Sequence, residues 1–449
     1  MLRFLFTLVL SILAFSNYAQ APKILSLQEQ ARVQDAWLEE RLQTVLPDLM
    51  ERTGIDMWVI SAREYNEDPV IETMLPATWL AARRRTILVL YKPAGKQEIE
   101  ALAVARYNVG SSFKKAWNPE QQPNQWKRLA EIIEERNPQK IGINRSEYFA
   151  LADGLTASEY ESLQAALPKK FKQRLSSAEK LAIGWLETRT ESEMAVYPQI
   201  VGIAHAIIAQ GFSEEVVQPG IITTDDIVWW YRERIRALGL KTWFHPSVSI
   251  QRADPESFEH LRAFSERPEG EVVQPGDLLH VDFGITYLGL NTDTQQHAYV
   301  LKPGETQAPK SLQQAFATGN RLQDILTSQF KTGKSGNEIL ANALEQAQSE
   351  DIKATIYTHP IGYHGHAAGP TIGLWDQQGG VPYTGDYPLY ANTAYSIELN
   401  AAVNISEWNK EIRIMLEEDA YFDGERVWYI NGRQNTLLII PRVQTHLGR

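Results

Sequence analysis

The sequence predicts an α/β protein, with some α+β character, that is built from two domains. At 449 residues the chain is too long for one ordinary hydrophobic core, since single cores stop growing at about 250–300 residues. Residues 24–175 alternate helical and strand-like patterns, and residues 180–449 open with capped helices before a series of strand-like runs. Residues 1–19, which are largely apolar, precede both domains.

Helices and short buried strands alternate in the first domain, which contains no catalytic constellation of residues. The basic stretch at residues 169–174 marks its predicted boundary, as a solvated linker or a helix end. The predicted elements are a helix at residues 27–49, strands at 57–60 and 86–90, a helix at 125–136 and a strand at 140–143.

Two helix starts open the second domain. Thr190 and Glu193 have the spacing of a capping box, and the apolar residues after them fall largely on one helical face, with a predicted kink at Pro198. A second helix follows the polar cluster at residues 223–226 and is expected to end near Gly239. Both helices precede the strands that carry the acidic residues described below.

Charge and cysteine content exclude several classes of function. The net charge of −11 argues against a nucleic-acid partner. The chain has no cysteine, so neither a disulfide framework nor a thiolate metal site is possible. Any metal must therefore be held by histidine, carboxylate or water.

The first residues have the pattern of an export signal. Arg3 precedes an apolar run at residues 4–15, which is shorter than the roughly 20 residues that span a bilayer, and small residues then lead to Ala19. Cleavage after Ala19 predicts a protein that is periplasmic or secreted. An uncleaved membrane anchor is the alternative, and no later stretch is expected to span a membrane.

Two aspartates carry the first chemical signal. Asp282 lies in an apolar, strand-like run, and Asp293 follows after ten intervening residues that include a predicted turn. Adjacent antiparallel strands could point both side chains at one place, where their repulsion requires a cation or a shared proton. The alternative is a pair of solvated aspartates at strand ends.

Further candidate ligands follow in the same half of the chain. His359, His364 and His366 lie in a glycine-rich segment, Glu398 lies in an apolar run, and acids end the run at residues 413–419. Carboxylates are rarely buried unless they are paired or bound to metal. The combination therefore predicts one shared site.

These residues carry a resemblance to the pita-bread metallopeptidases, which include methionine aminopeptidase, prolidase and aminopeptidase P. That family holds two metals with Asp, Asp, His, Glu and Glu in this order, and its Gly-His-x-x-Gly motif resembles the sequence around His366. Residues 24–175 are similar to the amino-terminal domain of prolidase, aminopeptidase P and creatinase, which methionine aminopeptidase lacks. The resemblance implies metal ligation by Asp282, Asp293, His366, Glu398 and Glu417.

Some positions depart from the family pattern. The family usually has a second histidine four residues before the ligand histidine and another seven residues after it, where this chain has Gly362 and Gly373. His364 is therefore a rival ligand, and His359 could take the role of the missing upstream histidine. Glu418 rivals Glu417, although strand parity favours Glu417. The arginine common after the second aspartate is replaced by the sequence at residues 294–297.

The resemblance implies an enzyme that cleaves peptides next to proline. Carboxylate-rich ligands favour two Mn²⁺ ions, with Zn²⁺ or Co²⁺ possible, and these would activate a water for attack on the peptide carbonyl. Glu398 is the expected general base, and His359 or His364 the expected oxyanion stabiliser. The alternatives are a prolidase-type dipeptidase, a creatinase-like hydrolase and a non-catalytic binding protein. Relatives are often homodimers, which makes a dimer possible here.

Overall fold

The computed structural model describes residues 23–253 and 270–442 and confirms the α/β fold class. The predicted signal segment lies outside the described residues. The amino-terminal helices are α1 (Leu27–Thr53), α2 (Pro69–Glu72), α3 (Gln125–Arg136), α4 (Ala157–Ala166), α5 (Lys169–Lys172) and α6 (Glu179–Glu187). The strands of the amino-terminal part are β1 (Met57–Arg63), β2 (Arg85–Tyr91), β3 (Glu100–Ala103), β4 (Lys114–Lys115), β5 (Ile141–Ile143) and β6 (Leu175–Ser177).

A six-stranded mixed sheet in the order β4-β3-β2-β1-β5-β6 forms the amino-terminal part. Its central strand β1 pairs antiparallel with β2 and parallel with β5. Alternate side chains of β1 enter different cores, because successive residues of a strand point to opposite faces. Met57 and Val59 pack with α3, whereas Trp58 and Ile60 pack with α1 and α6. Both faces of the sheet are therefore covered.

Local sequence signals account for the helix ends. Ser26 and Glu29 form a capping box at the start of α1, and Gly54 ends that helix in the left-handed conformation, with φ of 64°. The five elements predicted in this part are all present, and the predicted helix at residues 125–136 coincides with α3. Sequence patterns therefore specify these elements well.

The amino-terminal sheet ends just beyond the predicted boundary. The basic stretch forms the short helix α5, and β6 then adds a last strand by pairing with β5 as far as Ser177. Helix α6 follows and buries Leu181 and Trp185 in the same core as α1. Helix α6 contains residue 180, the predicted start of the second domain, and its apolar face packs against α1.

In its described residues, the carboxy-terminal part combines four helices with three larger sheets, in the orders β19-β11-β8-β7, β12-β15-β16 and β13-β14-β17-β18. The helices are α7 (Glu191–Gly211), α8 (Thr224–Ala237), α9 (Lys310–Thr327) and α10 (Gly336–Ser349). The strands are β7 (Ser247–Gln251), β8 (Leu278–Phe283), β9 (Thr286–Tyr287), β10 (Leu290–Asn291), β11 (Thr294–Val300), β12 (Lys353–Ile356), β13 (His359–Pro360), β14 (Thr393–Ser396), β15 (Leu399–Ile405), β16 (Lys410–Leu416), β17 (Asp419–Phe422), β18 (Val427–Tyr429) and β19 (Leu438–Ile440).

Helix pairs cover the outer sides of these sheets. Helices α7 and α8 share a core with β8 and β11, and α9 and α10 share another with β14 to β17. The predicted capping box of Thr190 and Glu193 is present, and α7 continues through Pro198 to Gly211. Helix α8 ends at Ala237, close to the predicted Gly239. The space between the sheets remains for polar residues.

A buried ion pair connects the two parts. Arg41 of α1 lies 3.2 Å from Glu193 of α7, and both side chains are fully buried. Arg41 also donates to the carbonyl of Thr188, and Tyr363 donates to Glu193 at 2.8 Å. Breaking a buried pair of this kind costs about 3–5 kcal/mol because one charge loses its partner. The amino-terminal helix is thereby fixed to the loop that carries the histidines.

Helix α7 corrects one expectation about membranes. Its length and hydropathy meet the requirements of a membrane span, which the sequence interpretation had excluded beyond the first residues. Tyr197, Ile200 and Ile207 of this helix nevertheless lie inside the protein core. The core helix of a globular domain has the same composition, so α7 is explained by its packing.

Candidate metal centre

Four of the five predicted ligands converge from separate strands, and His359 joins them there. Asp282 lies in β8, Asp293 directly precedes β11, and His359 begins β13. Glu398 lies between β14 and β15, and Glu417 between β16 and β17. The pairing of β8 with β11, the bridge of Gln295 to Glu417, and the pairing of His359 with Ser396 bring the strand ends together.

Three overlapping groups of side chains could hold metal ions. In each group the candidate ligand atoms lie within 4.8 Å of one another. The groups are Asp282, Asp293 and Glu417; His359, Glu398 and Glu417; and Asp293, His359 and His366. Because Asp293, His359 and Glu417 each occur in two groups, the geometry suits two neighbouring ions that share carboxylate ligands.

The donor atoms fit divalent cations. Asp293 Oδ1 and His359 Nε2 are buried and have no hydrogen-bond partner in the described part of the chain. His359 Nε2 lies 3.4 Å from Glu417 Oε1 and 3.6 Å from Asp293 Oδ2. Buried polar atoms of this kind are costly unless something satisfies them. A cation between these atoms would do so.

Burial and mutual repulsion shift the titration of the carboxylates. Burial, followed by the charge of Glu417, raises the pKa of both Asp293 and Glu398 well above the usual range. Burial also raises the pKa of Asp419, which accepts a hydrogen bond from the backbone N–H of Asp293 at 3.2 Å. The cluster therefore demands either protons or positive ions.

The three histidines occupy different positions. His359 is buried among the carboxylates, and the ring of His366 lies 4.7 Å from it at the exposed edge of the cluster. His364 belongs to none of the three groups of described ligand atoms. Burial, followed by the charge of Arg189, lowers the pKa of His364 to about 4. Burial, followed by the charge of His359, lowers the pKa of His366 to about 4 as well.

Glu417 and Glu418 point in different directions. Glu417 faces the cluster and accepts a hydrogen bond from Ser396 Oγ at 2.7 Å. The carboxylate of Glu418 is engaged elsewhere, with His205 at 2.7 Å and Gln296 at 3.0 Å. Glu417, which strand parity favours, is therefore the one of the two that belongs to the candidate ligand groups.

Gln295 is a residue of the centre that sequence reasoning missed. Its side-chain amide donates to Glu398 Oε1 at 2.6 Å and to Glu417 Oε2 at 2.7 Å. Since carboxylates only accept, Gln295 Oε1 must face His280 Nε2, 2.9 Å away, which then donates. From one side of the centre, the amide therefore bridges two carboxylates that would otherwise repel each other. The only sequence signal was the replacement of the common arginine at this segment.

Comparisons with known proteins agree with this geometry. The sequence profile of metallopeptidase family M24 matches residues 199–421, which include every candidate ligand. No curated protein matches the chain by sequence.

Solved structures resemble the chain over most of its length. An X-Pro aminopeptidase from Thermotoga maritima MSB8 is 16% identical over 87% of this chain and 99% of its own, with a TM-score of 0.60. An Xaa-Pro dipeptidase from Bacillus anthracis is 17% identical over 92% and 100%, with a TM-score of 0.58. The dipeptidase PepE from Mycobacterium ulcerans is 17% identical over 90% and 98%, with a TM-score of 0.56.

At these identities the likeness establishes the fold, which includes the amino-terminal sheet. The sequence profile adds the ligand-bearing part. The resemblance to pita-bread metallopeptidases is therefore confirmed, and the carboxy-terminal part of this chain belongs to metallopeptidase family M24.

Proposed function

We propose that this protein is a peptidase that depends on two metal ions and hydrolyses Xaa-Pro bonds with aminopeptidase P action. The observation that carries the proposal is the cluster of Asp282, Asp293, His359, Glu398 and Glu417, whose ligand atoms form overlapping groups within 4.8 Å. A creatinase-like hydrolase is less well supported, because such members have lost the ligands that are present here.

We assign His359, rather than His366, as the histidine ligand. His359 shares a group with both glutamates, whereas His366 lies at the exposed edge. The spacing supports this exchange, because His366 follows His359 by seven residues, where the family carries a further histidine, and Gly362 completes His-x-x-Gly. This proposal replaces the assignment of His366 that the Gly-His-x-x-Gly resemblance implies.

Two divalent ions at this centre supply Lewis-acid polarisation of the peptide carbonyl and acidification of a water. Four carboxylates and one imidazole favour Mn²⁺, although Zn²⁺ and Co²⁺ also accept such ligands. The residues of the chain orient these reactants and exclude bulk water around Asp293 and Glu417, which are buried.

Glu398 is the proposed proton acceptor. Unlike Asp293 and Glu417, it keeps some exposure to solvent although most of it is buried, so a proton can pass between it and solvent. Gln295 fixes Glu398 Oε1 through its amide. His366 stands in for the expected oxyanion stabiliser, because its lowered pKa leaves a neutral imidazole that donates one N–H at neutral pH. Of the two histidines expected for this role, His364 lies outside the cluster, and His359 is assigned as a metal ligand.

Xaa-Pro specificity rests on similarity alone. The Thermotoga maritima structure is an X-Pro aminopeptidase and the Bacillus anthracis structure is an Xaa-Pro dipeptidase, and both align along most of the chain. At such low sequence identity the likeness establishes the fold alone, so the substrate is our proposal.

Product analysis tests the proposal. The chain without residues 1–19, loaded with Mn²⁺, is incubated with an Xaa-Pro dipeptide, an Xaa-Pro-Xaa tripeptide and a proline-free tripeptide, and products are followed by mass spectrometry. Release of the first residue from the Xaa-Pro-Xaa tripeptide alone is the expected result. Cleavage of the dipeptide alone would assign prolidase action. Absence of cleavage with metal bound would favour a binding protein.

We also propose export to the periplasm or the exterior, on the strength of residues 1–19. Cell fractionation with amino-terminal sequencing is expected to find a protein that begins at Gln20. Retention of residues 1–19 in a membrane fraction would instead indicate an anchor. A homodimer remains a prediction, which light scattering of the purified protein checks.

A further inference from the structure

A basic pocket lies on the amino-terminal sheet, in the part of the chain that the metal centre does not use. Five arginines line this cavity of about 300 Å³, and we call it the arginine pocket. No acidic residue belongs to its described lining. The arginines are Arg63, Arg83, Arg84, Arg85 and Arg106.

Strand register brings these arginines together. Arg63 ends β1 and pairs directly with Arg85, the first residue of β2. The β2–β3 register of Leu88 with Ala103, continued by the hydrogen bond from Val104 to Ile87, directs Arg106 toward the same end of the sheet. The pocket is therefore a product of the fold and not of a chance basic run.

One carboxylate partly compensates the pocket. Glu159 is buried and accepts two hydrogen bonds from Arg85 Nε and one from Arg85 Nη2, at 2.9–3.1 Å, and it lies 3.7 Å from Arg63. Ser61 donates to Glu159 at 2.8 Å and fixes it in place. Arg63 and Arg85 are thus tied to the scaffold.

The other three arginines lack such a partner. Arg83, Arg84 and Arg106 form no ion pair with any residue that the structure describes. Glu64 accepts from the backbone N–H of Arg84, not from its guanidinium. Three uncompensated positive charges thus converge in a protein whose net charge is −11.

Aromatic rings orient two of these three guanidinium groups, those of Arg83 and Arg106. Arg83 stacks 4.4 Å from the ring centre of Trp79 and 5.5 Å from that of Tyr107, and Arg106 lies 5.5 Å from that of Trp117. Stacking uses the planar face of a guanidinium and leaves its N–H donors available at the edge. The donors are therefore ordered before any ligand arrives.

We propose that the arginine pocket binds a phosphate-bearing polyanion of the diphosphate class. The guanidinium fork matches phosphate oxygens, and arginine stays charged at all physiological pH values. Three uncompensated charges match the charge of a diphosphate at neutral pH. The cavity volume lies at the small end of ligand sites, which typically measure about 300–1,000 Å³. The phosphate could belong to a soluble molecule or to a lipid headgroup.

Calorimetric titration with inorganic pyrophosphate tests the proposal. The intact protein is expected to bind one pyrophosphate, and R83Q/R84Q/R106Q is expected to bind it at least tenfold more weakly. The control R236Q/R426Q/R442Q removes the same charge from exposed arginines that are paired with Glu233, Asp423 and Glu214. Its affinity should stay within twofold of the parent. Equal losses in both variants would overturn the proposal, because they would indicate general electrostatic attraction.

Two repeats remove the remaining ambiguities. The titration is run on metal-loaded and on metal-free protein, because active-site ions also bind pyrophosphate. The pyrophosphate binding that R83Q/R84Q/R106Q removes must be the same with and without metal. Should that variant unfold, the single substitution Arg84→Gln at an exposed position replaces it, with an expected loss of at least threefold.

Vesicles distinguish the two phosphate sources. Pocket-dependent binding to vesicles that contain cardiolipin, whose headgroup carries two phosphates, without binding of pyrophosphate, would assign a lipid headgroup. Pocket-dependent binding of pyrophosphate alone would assign a soluble ligand. Binding of neither probe in 50 mM salt, a condition that favours charged ligands, would overturn the proposal. None of these outcomes depends on peptidase activity.

Discussion

The metal centre and the arginine pocket each gather side chains of one charge, in opposite surroundings. Asp293, Glu417 and Asp419 are nearly inaccessible to solvent, whereas Arg83, Arg84 and Arg106 are exposed. Water screens exposed charges, so the pocket is tolerable without a ligand. The buried carboxylates have no such screening, and burial and repulsion raise the pKa of Asp293 and Glu398. The negative charges of the metal centre therefore require protons or cations, whereas the positive charges of the arginine pocket do not require a bound anion.

Removing the proton acceptor should have the largest effect. Glu398→Gln keeps the shape of the side chain and removes its charge, so turnover of an Xaa-Pro-Xaa peptide should fall by about 10²–10⁴-fold. Asp282→Asn should act similarly, because Asp282 shares a ligand group with Asp293 and Glu417. Steady-state kinetics measure the loss, and circular dichroism should report an unchanged fold. Full activity in either variant would show that the site lies elsewhere.

Metal content should separate the histidines. His359→Ala removes a ligand atom from two of the three groups and should weaken metal binding by more than about 100-fold, since changes outside the ligand shell already cost about 10–100-fold. His366→Ala should lose less metal, and His364→Ala least. Elemental analysis after dialysis gives the ranking. Greater loss in His366→Ala than in His359→Ala would restore the original ligand assignment.

Gln295 should matter to metal binding although it is not a ligand. Gln295→Ala frees Glu398 and Glu417 from their shared donor, and a loss of about 10–100-fold in metal affinity is expected. Gln296→Ala is the matched control, because its neighbouring amide donates to Glu418 instead. Competition with a fluorescent chelator measures both affinities. Similar values for the two variants would reduce Gln295 to a packing residue.

The sequence could predict much of this centre because carboxylates in apolar strands are conspicuous. Asp282, Glu398 and Glu417 stand in or directly after apolar runs that indicate burial, whereas Asp293 was recognised by its spacing from Asp282. All four lie together in the structure. The histidine ligand was harder to predict. The sequence Gly365-His366-Ala367-Ala368-Gly369 matches the family motif, whereas strand pairing brings His359 beside Ser396.

Long-range contacts account for what the sequence did not reveal. Gln295 acquires its role from Glu398 and Glu417, which are more than 100 residues away, so no local pattern announces it. The arginine pocket likewise depends on the register of β1, β2 and β3. Patterns of period 2 and 3.6 specify elements, whereas contacts between distant strand ends require the assembled fold.

Glu187 is expected to affect stability rather than turnover, and it gives the sharpest contrast with the metal centre. It is a buried acid that belongs to none of the metal-ligand groups found among the described residues. Tyr387 donates to Oε1 at 3.1 Å, Arg52 lies 3.8 Å away, and Oε2 has no partner in the same part of the chain. Burial raises the pKa of Glu187 to about 8, so a proton compensates it at neutral pH.

The pH dependence of stability follows from that raised pKa. Between its unfolded value near 4.5 and about 8 the folded protein binds more protons at Glu187 than the unfolded chain does, so the free energy of unfolding falls as pH rises through this window. Glu187→Gln, which stays neutral, should lose this dependence. Its stability relative to the parent should rise by on the order of 3 kcal/mol between pH 5 and pH 9. Urea unfolding of both proteins with saturating metal measures the difference, and parallel pH profiles would mean that Glu187 is ionised in the folded state and is compensated by Arg52 alone.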